Sequence, residues 1–119
     1  MDGSGTYTWA DGTSYSGEFK DNMRNGLGKL TIAENYYYEG SYVNNAKEGK
    51  GKYVFENGDI YEGDYQKDVR TGNGTYTWPN GESYTGQFVN NDMHGYGKYT
   101  WPSGRVYEGQ FSQGKIVVE

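Results

Sequence analysis

The stretch "GNGTYTWPNGESYTGQF", residues 72–88, places four glycines among four aromatic rings in segments that otherwise have the composition of β-strands. Glycine inside a strand costs conformational entropy and contributes no side chain to packing. A chain that uses it repeatedly in strands must need bare backbone there, so another group is expected to approach that backbone closely.

The same stretch belongs to a strict 23-residue repeat. Two motifs recur at this period, Gly-x-Gly and Tyr-x-Gly, and neither is interrupted by an insertion. The Gly-x-Gly pairs begin at Gly3, Gly26, Gly49, Gly72 and Gly95, and the Tyr-x-Gly motifs begin at Tyr15, Tyr38, Tyr61, Tyr84 and Tyr107. We therefore expect a single array over residues 1–119, with copies at about 3–25, 26–48, 49–71, 72–94 and 95–117.

Each copy has the pattern of a β-hairpin. Rings and glycines alternate with polar residues along each segment, and this two-residue period is typical of a β-strand. Between the two strands lies a turn that ends in Gly12, Gly58, Gly81 or Gly104 in four copies, and in Asn35 in the second. Because asparagine tolerates a left-handed backbone best after glycine, we expect a left-handed residue at all five positions. A second reversal is predicted between copies, at Asn22, Asn45, Asp68, Asn91 and Gly114.

Stacked hairpins bring the glycines of one copy beside the rings of its neighbours. Of the 21 aromatic residues, 18 fall into four columns of the repeat. A conventional core is improbable at 33% hydrophobic residues and a mean hydropathy of −1.04. The sequence therefore predicts an all-β fold, a single-layer antiparallel sheet of five stacked hairpins in which rings lie over bare glycine backbone.

The unit G-x-G-x-Y-x-W-x-x-G-x-x-Y-x-G-x-F resembles the MORN (membrane occupation and recognition nexus) repeat over essentially the whole chain. The resemblance implies an elongated, twisted half-pipe without catalytic residues of its own, similar to arrays in junctophilins and in ciliary and apicomplexan scaffold proteins. The second copy departs from the pattern with Leu30, Ile32 and the extra rings Tyr36 and Tyr37. The loop histidine common in the family occurs only as His94. Since the first Gly-x-Gly follows Met1 so closely, we expect a piece of a longer array.

Composition disfavours several classes of function. A net charge of −5 and a pI of about 4.8 argue against binding nucleic acid. The absence of cysteine and the single histidine disfavour a nucleophilic dyad or a zinc site, so we expect no enzyme, no metal and no cofactor. Glu39, Glu62 and Glu108 recur at equivalent outward positions, as in a solvated face. Without a signal peptide, a cytoplasmic protein is expected, and association with cytoskeleton or membrane stays open.

The first functional hypothesis is a protein-binding groove. A single-layer sheet cannot hide both faces, and tyrosine and tryptophan are favoured at interfaces. The candidate residues form two columns: Trp9, Phe55, Trp78 and Trp101, and Tyr7, Tyr53, Tyr76 and Tyr99. A helix or an extended peptide is the expected ligand. The alternative, that packing on glycine occupies every ring, stays open, and unpaired terminal strands predict a homodimer or end-to-end association.

The second hypothesis is weak binding to anionic phospholipid. Two rows of basic residues recur with the repeat, one predicted on the outward parity and one in the loops between copies. The outward row is Lys29, Lys52 and Lys98, and the loop row is Arg24, Lys47 and Arg70. Thr75 interrupts the first row and Met93 the second, so this function ranks below protein recognition.

Overall fold

The computed structural model describes residues 2–117 as eleven antiparallel strands joined in chain order. The strands are β1 (Gly3–Thr8), β2 (Ser14–Lys20), β3 (Met23–Ala33), β4 (Tyr36–Val43), β5 (Ala46–Val54), β6 (Ile60–Gln66), β7 (Val69–Thr77), β8 (Ser83–Val89), β9 (Asp92–Thr100), β10 (Val106–Ser112) and β11 (Lys115–Ile116). They form one open sheet, β1 to β11, with extents of 53 × 24 × 17 Å. The predicted fold class is confirmed.

Within four copies, the hairpin turn closes on a left-handed glycine as predicted. In the first copy the amide of Trp9 donates to the carbonyl of Thr13 at 2.8 Å, and the amide of Gly12 donates to the carbonyl of Trp9 at 3.0 Å. Gly12 has φ +95°, and its equivalents Gly58, Gly81 and Gly104 have φ between +93° and +95°. Glycine is needed here because a Cβ disfavours this conformation.

The second copy departs from this geometry, and the left-handed conformation predicted for Asn35 is wrong. Ala33 pairs with Tyr36, and the register shifts between Thr31 and Ala33, so Ile32 becomes the extra residue of a bulge. Neither Glu34 nor Asn35 is among the residues with positive φ. The bulge lengthens β3 and leaves only Glu34 and Asn35 in the loop, and nothing in the pairing explains why neither adopts the left-handed backbone usual in so short a loop.

Between copies, the predicted second reversal is confirmed as a tight two-residue turn. Both central residues have positive φ, as in a type I′ turn that matches the twist of the flanking strands. In the turn from β4 to β5, φ is 47° at Asn44 and 72° at Asn45. Lys67 and Gln113 occupy the first of these positions in later copies, with φ of 48° and 50°. Lysine and glutamine rarely adopt positive φ, and the sequence did not predict this conformation for Lys67 and Gln113.

The two glycines of each Gly-x-Gly pair have different structural roles. Gly17 pairs with Gly28 and Phe19 with Arg24, so residues 25–27 oppose one residue of β2 and form a bulge. Gly26, at the bulge, has φ +89°, and its equivalents lie between +83° and +88°. The first glycine therefore permits a left-handed backbone and, at Gly26 and Gly72, leaves room for the side chain that holds the bulge, whereas the second admits a tyrosine ring.

The bulges are also held by side chains. Glu18 accepts a hydrogen bond from the amide of Leu27 at 2.7 Å, and Asp64 accepts one from the amide of Asn73 at 3.0 Å. A hydrogen bond from Lys50 and that amide lower the pKa of the Asp64 carboxyl. The carboxylates of Glu18 and Asp64 therefore satisfy backbone donors at the bulges.

The core is a ladder of tyrosines lying over glycine. Tyr61 and its equivalents Tyr15, Tyr38 and Tyr84 are 0% exposed. A Cβ on Gly74, in the next copy, would lie 2.6 Å from Oη of Tyr61. The hydroxyl of Tyr61 donates to the carbonyl of Asp64 at 2.7 Å, and its ring meets the rings of Tyr65 and Phe88 edge-on, at centroid distances of 5.3 and 5.1 Å. The predicted packing of rings on glycine is confirmed.

Candidate functional site

Six rings on the same face form a continuous row, which we call the aromatic belt. It consists of Tyr53, Phe55, Tyr76, Trp78, Tyr99 and Trp101, with successive ring centroids 4.5 to 5.8 Å apart. All six side chains are half-buried, in contrast to the fully buried tyrosine ladder. The belt lies beside the turns that end in glycine, at the edge of the core.

Hydrogen bonds between copies fix the tyrosines of the belt. Tyr76 donates to a carboxylate oxygen of Asp59 at 2.6 Å, and Tyr99 donates to Glu82 at 2.8 Å. Asp59 and Glu82 follow the turn glycines of the preceding copies, so each bond ties one hairpin to the next. Burial, and then the carboxylate acceptor, raise the pKa of Tyr76 to about 12. These hydrogen bonds therefore fix the orientation of two of the six rings of the belt.

The remaining two predicted groove residues form a separate pair. The rings of Tyr7 and Trp9 lie 4.9 Å apart, and their side chains are 52% and 39% exposed. Leu30 and Ile32 occupy the corresponding columns of the second copy and separate this pair from Tyr53. The eight predicted groove residues thus share one face but fall into groups of two and six.

The basic residues predicted in the loops, Arg24, Lys47 and Arg70, lie instead in strands, and that placement was wrong. Each is the second residue of its strand, because the preceding turn has only two residues. The register sets Arg24 opposite Phe19, on the ring-bearing face. We call these three residues the groove cations.

The groove cations stack on rings. The guanidinium carbon of Arg24 lies 4.9 Å from the centroid of the Tyr42 ring, and that of Arg70 lies 5.4 Å from the Tyr76 ring. The Lys47 ammonium lies 5.4 Å from the centroid of the Tyr53 ring. Such contacts favour a cation by about 0.5–1 kcal/mol at exposed sites and by more where water is displaced. The cations are therefore part of the aromatic surface.

Two equivalent depressions lie between the rings and the turns that join the copies. One has a volume of about 270 Å³ and is lined by Tyr7, Trp9, Phe19, Asn22, Arg24 and Asn45. The other, of about 190 Å³, is lined by Lys47, Tyr53, Phe55, Tyr65, Asp68, Arg70 and Asn91. Except for Lys47, the second set follows the first by two repeats. We call the recessed strip that they mark the groove.

The other basic row faces away from the groove and alternates with acids. In register across the sheet, Lys29 lies opposite Glu39, Glu39 opposite Lys52, and Lys52 opposite Glu62. Lys98 lies opposite Glu108 in the same way. Opposite charges on neighbouring strands attract each other, so the field of this row is largely cancelled.

Residues 2–117 contain no group of three or more His, Asp or Glu side chains placed to hold a metal ion. His94 accepts a hydrogen bond from the amide of Gln113 at 3.4 Å, in the turn between copies. No helix in this described part of the chain is long and apolar enough to cross a membrane.

A family model for the MORN repeat matches six segments of the chain, residues 1–14, 15–34, 38–60, 61–83, 84–104 and 107–119. The chain belongs to the MORN repeat family. Five of the matches begin at the tyrosine of a Tyr-x-Gly motif, and these starts are 23 residues apart. MORN repeats are non-enzymatic modules that generally act in protein interaction or as scaffolds. No curated protein matches the chain in a sequence comparison.

Two features of this MORN groove were missed from the sequence. The carboxylates of Asp59 and Glu82 hold the belt, but their column also contains Thr13, Tyr36 and Arg105, so residue type alone carries no consistent signal. The basic column at Arg24, Lys47 and Arg70 was recognised, but its side was not. Once the turn is known to have two residues, these basic residues belong to the strands, and the alternation of side chains along each strand then places them on the face that carries the rings.

Proposed function

We propose that this protein is a non-catalytic scaffold that binds a protein segment along the aromatic belt. The observation that carries the proposal is the six-ring belt, which is continuous and half-buried and in which Tyr76 and Tyr99 are held by hydrogen bonds from one copy to the next. Rigid tyrosine and tryptophan side chains present a large contact area at a low entropic cost, and they dominate the energetics of many protein interfaces.

The two tryptophans of the belt contribute less to the core than the fully buried tyrosines do. The fully buried ladder of Tyr15, Tyr38, Tyr61 and Tyr84 fills the space over the glycines. The side chains of Trp78 and Trp101 lie outside this ladder and remain half-buried. Exposed apolar surface of this kind is characteristic of interaction sites.

Affinity capture with matched variants tests the proposal. The bait is the folded protein, compared with a Trp78→Ala/Trp101→Ala variant and with a Tyr96→Ala variant. Tyr96 is 54% exposed and contacts Glu108 of the outward row, so it controls for loss of an exposed ring elsewhere. We expect a partner that is retained by wild type and by Tyr96→Ala and lost from the tryptophan variant. A peptide from that partner should then compete for the belt. Equal capture by all three baits would refute the proposal.

Anionic phospholipid binding is a second and weaker candidate. It is supported by the groove cations, which share one face, and is opposed by the alternation of Lys29 and Lys52 with carboxylates on the other face. Sedimentation with vesicles that contain phosphatidylinositol phosphates, at physiological salt, tests this function. Absence of co-sedimentation would remove it.

Self-association is a further proposal, through the outer edges of the described sheet. β1 pairs only with β2, and β11 covers two residues of β10. Unpaired strand edges favour pairing with another chain. Light scattering that shows only monomer at high concentration would contradict it.

A further inference from the structure

We propose that the groove selects an α-helix that carries acidic side chains at about seven-residue intervals, and that Arg24, Lys47 and Arg70 bind those acids. This inference rests on the proposed function and adds the chemistry of the partner.

The sheet favours a helical partner over an extended one. Every strand from β2 to β10 is hydrogen-bonded to two neighbours, so the face of the sheet offers few free backbone groups to a ligand. An extended peptide lying on this face would have to satisfy its own amides and carbonyls through water or side chains. A helix satisfies them internally and presents only side chains to the rings.

Two of the groove cations lack a compensating carboxylate. Arg24 donates from Nη2 to the carbonyl of Asn45 at 3.1 Å, and Arg70 donates from Nη2 to the carbonyl of Asn91 at 3.0 Å. Both acceptors are neutral, and among residues 2–117 neither arginine makes a salt bridge. The buried Nε of Arg70 also has no hydrogen-bond partner in the described chain. A guanidinium has five N–H donors, so each arginine retains capacity to bind a carboxylate.

Lys47 is only loosely neutralised. Its ammonium lies 3.6 Å from a carboxylate oxygen of Asp68, whose side chain is 55% exposed, and such surface pairs contribute little. On the opposite side of the belt, the carboxylates of Asp59 and Glu82 accept hydrogen bonds from tyrosines. The three groove cations outnumber Asp68 on one side of the groove, and Asp59 and Glu82 lie on the other, so an acidic stripe on a helix is attracted to the first side and repelled by the second.

The spacing of the copies sets the spacing of the acids. Equivalent residues of successive copies are two strands apart, which is about 9.6 Å at the usual separation of strands. Seven residues of an α-helix rise about 10.5 Å and return to nearly the same side of the helix. Acids at i, i+7 and i+14 therefore match Arg24, Lys47 and Arg70.

The match ends in the fourth copy, where Met93 replaces the cation. There the half-buried belt residues Trp78 and Trp101 lie beside no cation equivalent to Arg70. Arg105 stacks on Trp101, but it lies in the turn on the opposite side of the belt. The helix should therefore be acidic where it covers the first three copies and apolar where it covers the last two.

A displayed library of helical peptides tests the inference, with one face fixed as apolar and its flanks randomised. Selection is run on wild type and on three variants. The first is Arg24→Met/Lys47→Met/Arg70→Met, the groove variant, which copies the residue found naturally at Met93. The second is Lys29→Met/Lys52→Met/Lys98→Met, the outward variant, which removes equal charge from the other face. The third is Trp78→Ala/Trp101→Ala.

Peptides that bind wild type and not the tryptophan variant should carry Asp or Glu spaced by seven residues. Their affinity, measured by fluorescence anisotropy, should fall roughly tenfold on the groove variant and stay unchanged on the outward variant, since each ion pair strengthens binding about twofold. Tryptophan-dependent peptides without acidic spacing, or an equal loss on the groove and outward variants, would overturn the charge selection and leave the proposed function intact.

Two other outcomes would refute the helical partner itself. If no peptide depends on the tryptophans, the proposed function fails, and this inference fails with it. If vesicles of phosphatidylcholine and phosphatidylserine bind wild type but not the groove variant, while no acidic peptide is selected, the cations serve a membrane surface and the helix is refuted as the occupant.

Discussion

Replacing Gly74 by alanine tests whether the second glycine of each pair is there to admit a tyrosine ring. A Cβ at this position would lie 2.6 Å from Cε1 and Oη of Tyr61 and 2.7 Å from Cζ. Gly74 has no positive φ, so the substitution adds steric conflict without backbone strain. The ring cannot easily move, because its hydroxyl bonds to Asp64 and its edges pack on Tyr65 and Phe88.

The expected loss is large for the addition of one methyl group. Overpacking a well-filled core costs about 1–3 kcal/mol. Displacement of the Tyr61 ring would also break its hydrogen bond to Asp64, which contributes about 1 kcal/mol. We therefore expect Gly74→Ala to lower the free energy of unfolding by roughly 2–4 kcal/mol, or the melting temperature by about 10 °C.

A double-mutant cycle isolates the contribution of the Tyr61 ring to this loss. Tyr61→Ala alone should lower the free energy of unfolding by about 3–5 kcal/mol. In that background Gly74→Ala should be neutral or stabilising by up to about 1 kcal/mol, because the ring is gone and alanine suits a strand better than glycine. Urea unfolding followed by circular dichroism gives all four values. Ser83→Val, on the opposite parity, is the control and should change stability by less than about 0.5 kcal/mol.

An equal penalty for Gly74→Ala in both backgrounds would refute the reasoning, since the cost would then have nothing to do with Tyr61. A negligible penalty in the wild-type background would do the same. Either result would mean that the repeated glycines serve the backbone alone.

Three further perturbations test other parts of the structure. Tyr42→Phe should leave the free energy of unfolding in urea unchanged or raise it by up to about 1 kcal/mol, because the buried hydroxyl of Tyr42 has no hydrogen-bond partner among the described residues. A marked loss of stability would show that this hydroxyl does have a partner. Lys67→Asn should stabilise by about 0.5–1 kcal/mol, since Lys67 has φ 48° and asparagine tolerates it better; destabilisation would contradict the turn. The pKa values of Tyr76 and Tyr99 are raised to about 12 by burial and then by carboxylate acceptors, from 10.0. The contribution of these tyrosines to stability should therefore be constant below about pH 10 and fall between pH 10 and 12, because the tyrosines of the unfolded chain ionise first; a profile without that fall would show that their pKa values are not raised.

Much of the fold follows from the period and parity of the sequence. Both kinds of turn and the placement of rings over glycine required only the repeat and the strand alternation. The bulge at Gly26 could not be predicted, because residue type does not distinguish a glycine that permits a left-handed backbone from one that permits close approach of a ring. The prediction for Asn35 failed for a related reason: asparagine tolerates positive φ without requiring it, and the register shift at Ile32 changes the loop of this copy.

The site was less predictable because it depends on side-chain direction near turns. The outward row at Lys29 lies well inside a strand, so parity placed it on the correct face. Arg24 follows a turn whose length the sequence did not fix, and an error of one residue reverses the face of a strand residue. Hydrogen bonds such as that from Tyr76 to Asp59 join neighbouring copies through different acceptors in each copy, so no column of one residue type indicates them.

The belt remains exposed for a reason that lies in the repeat itself. Tyr61 and Tyr76 are direct partners across the sheet. Gly63 and Gly74, two residues along each strand, form the next pair, or rung, on the same face. Tyr61 leans over that bare rung and fills it completely. Tyr76 then has no glycine left to cover, so it turns toward Trp78, at a centroid distance of 4.7 Å. Of the two rings on such a rung, one is therefore buried completely and the other stays half-buried at the edge of the core, where it forms part of the belt.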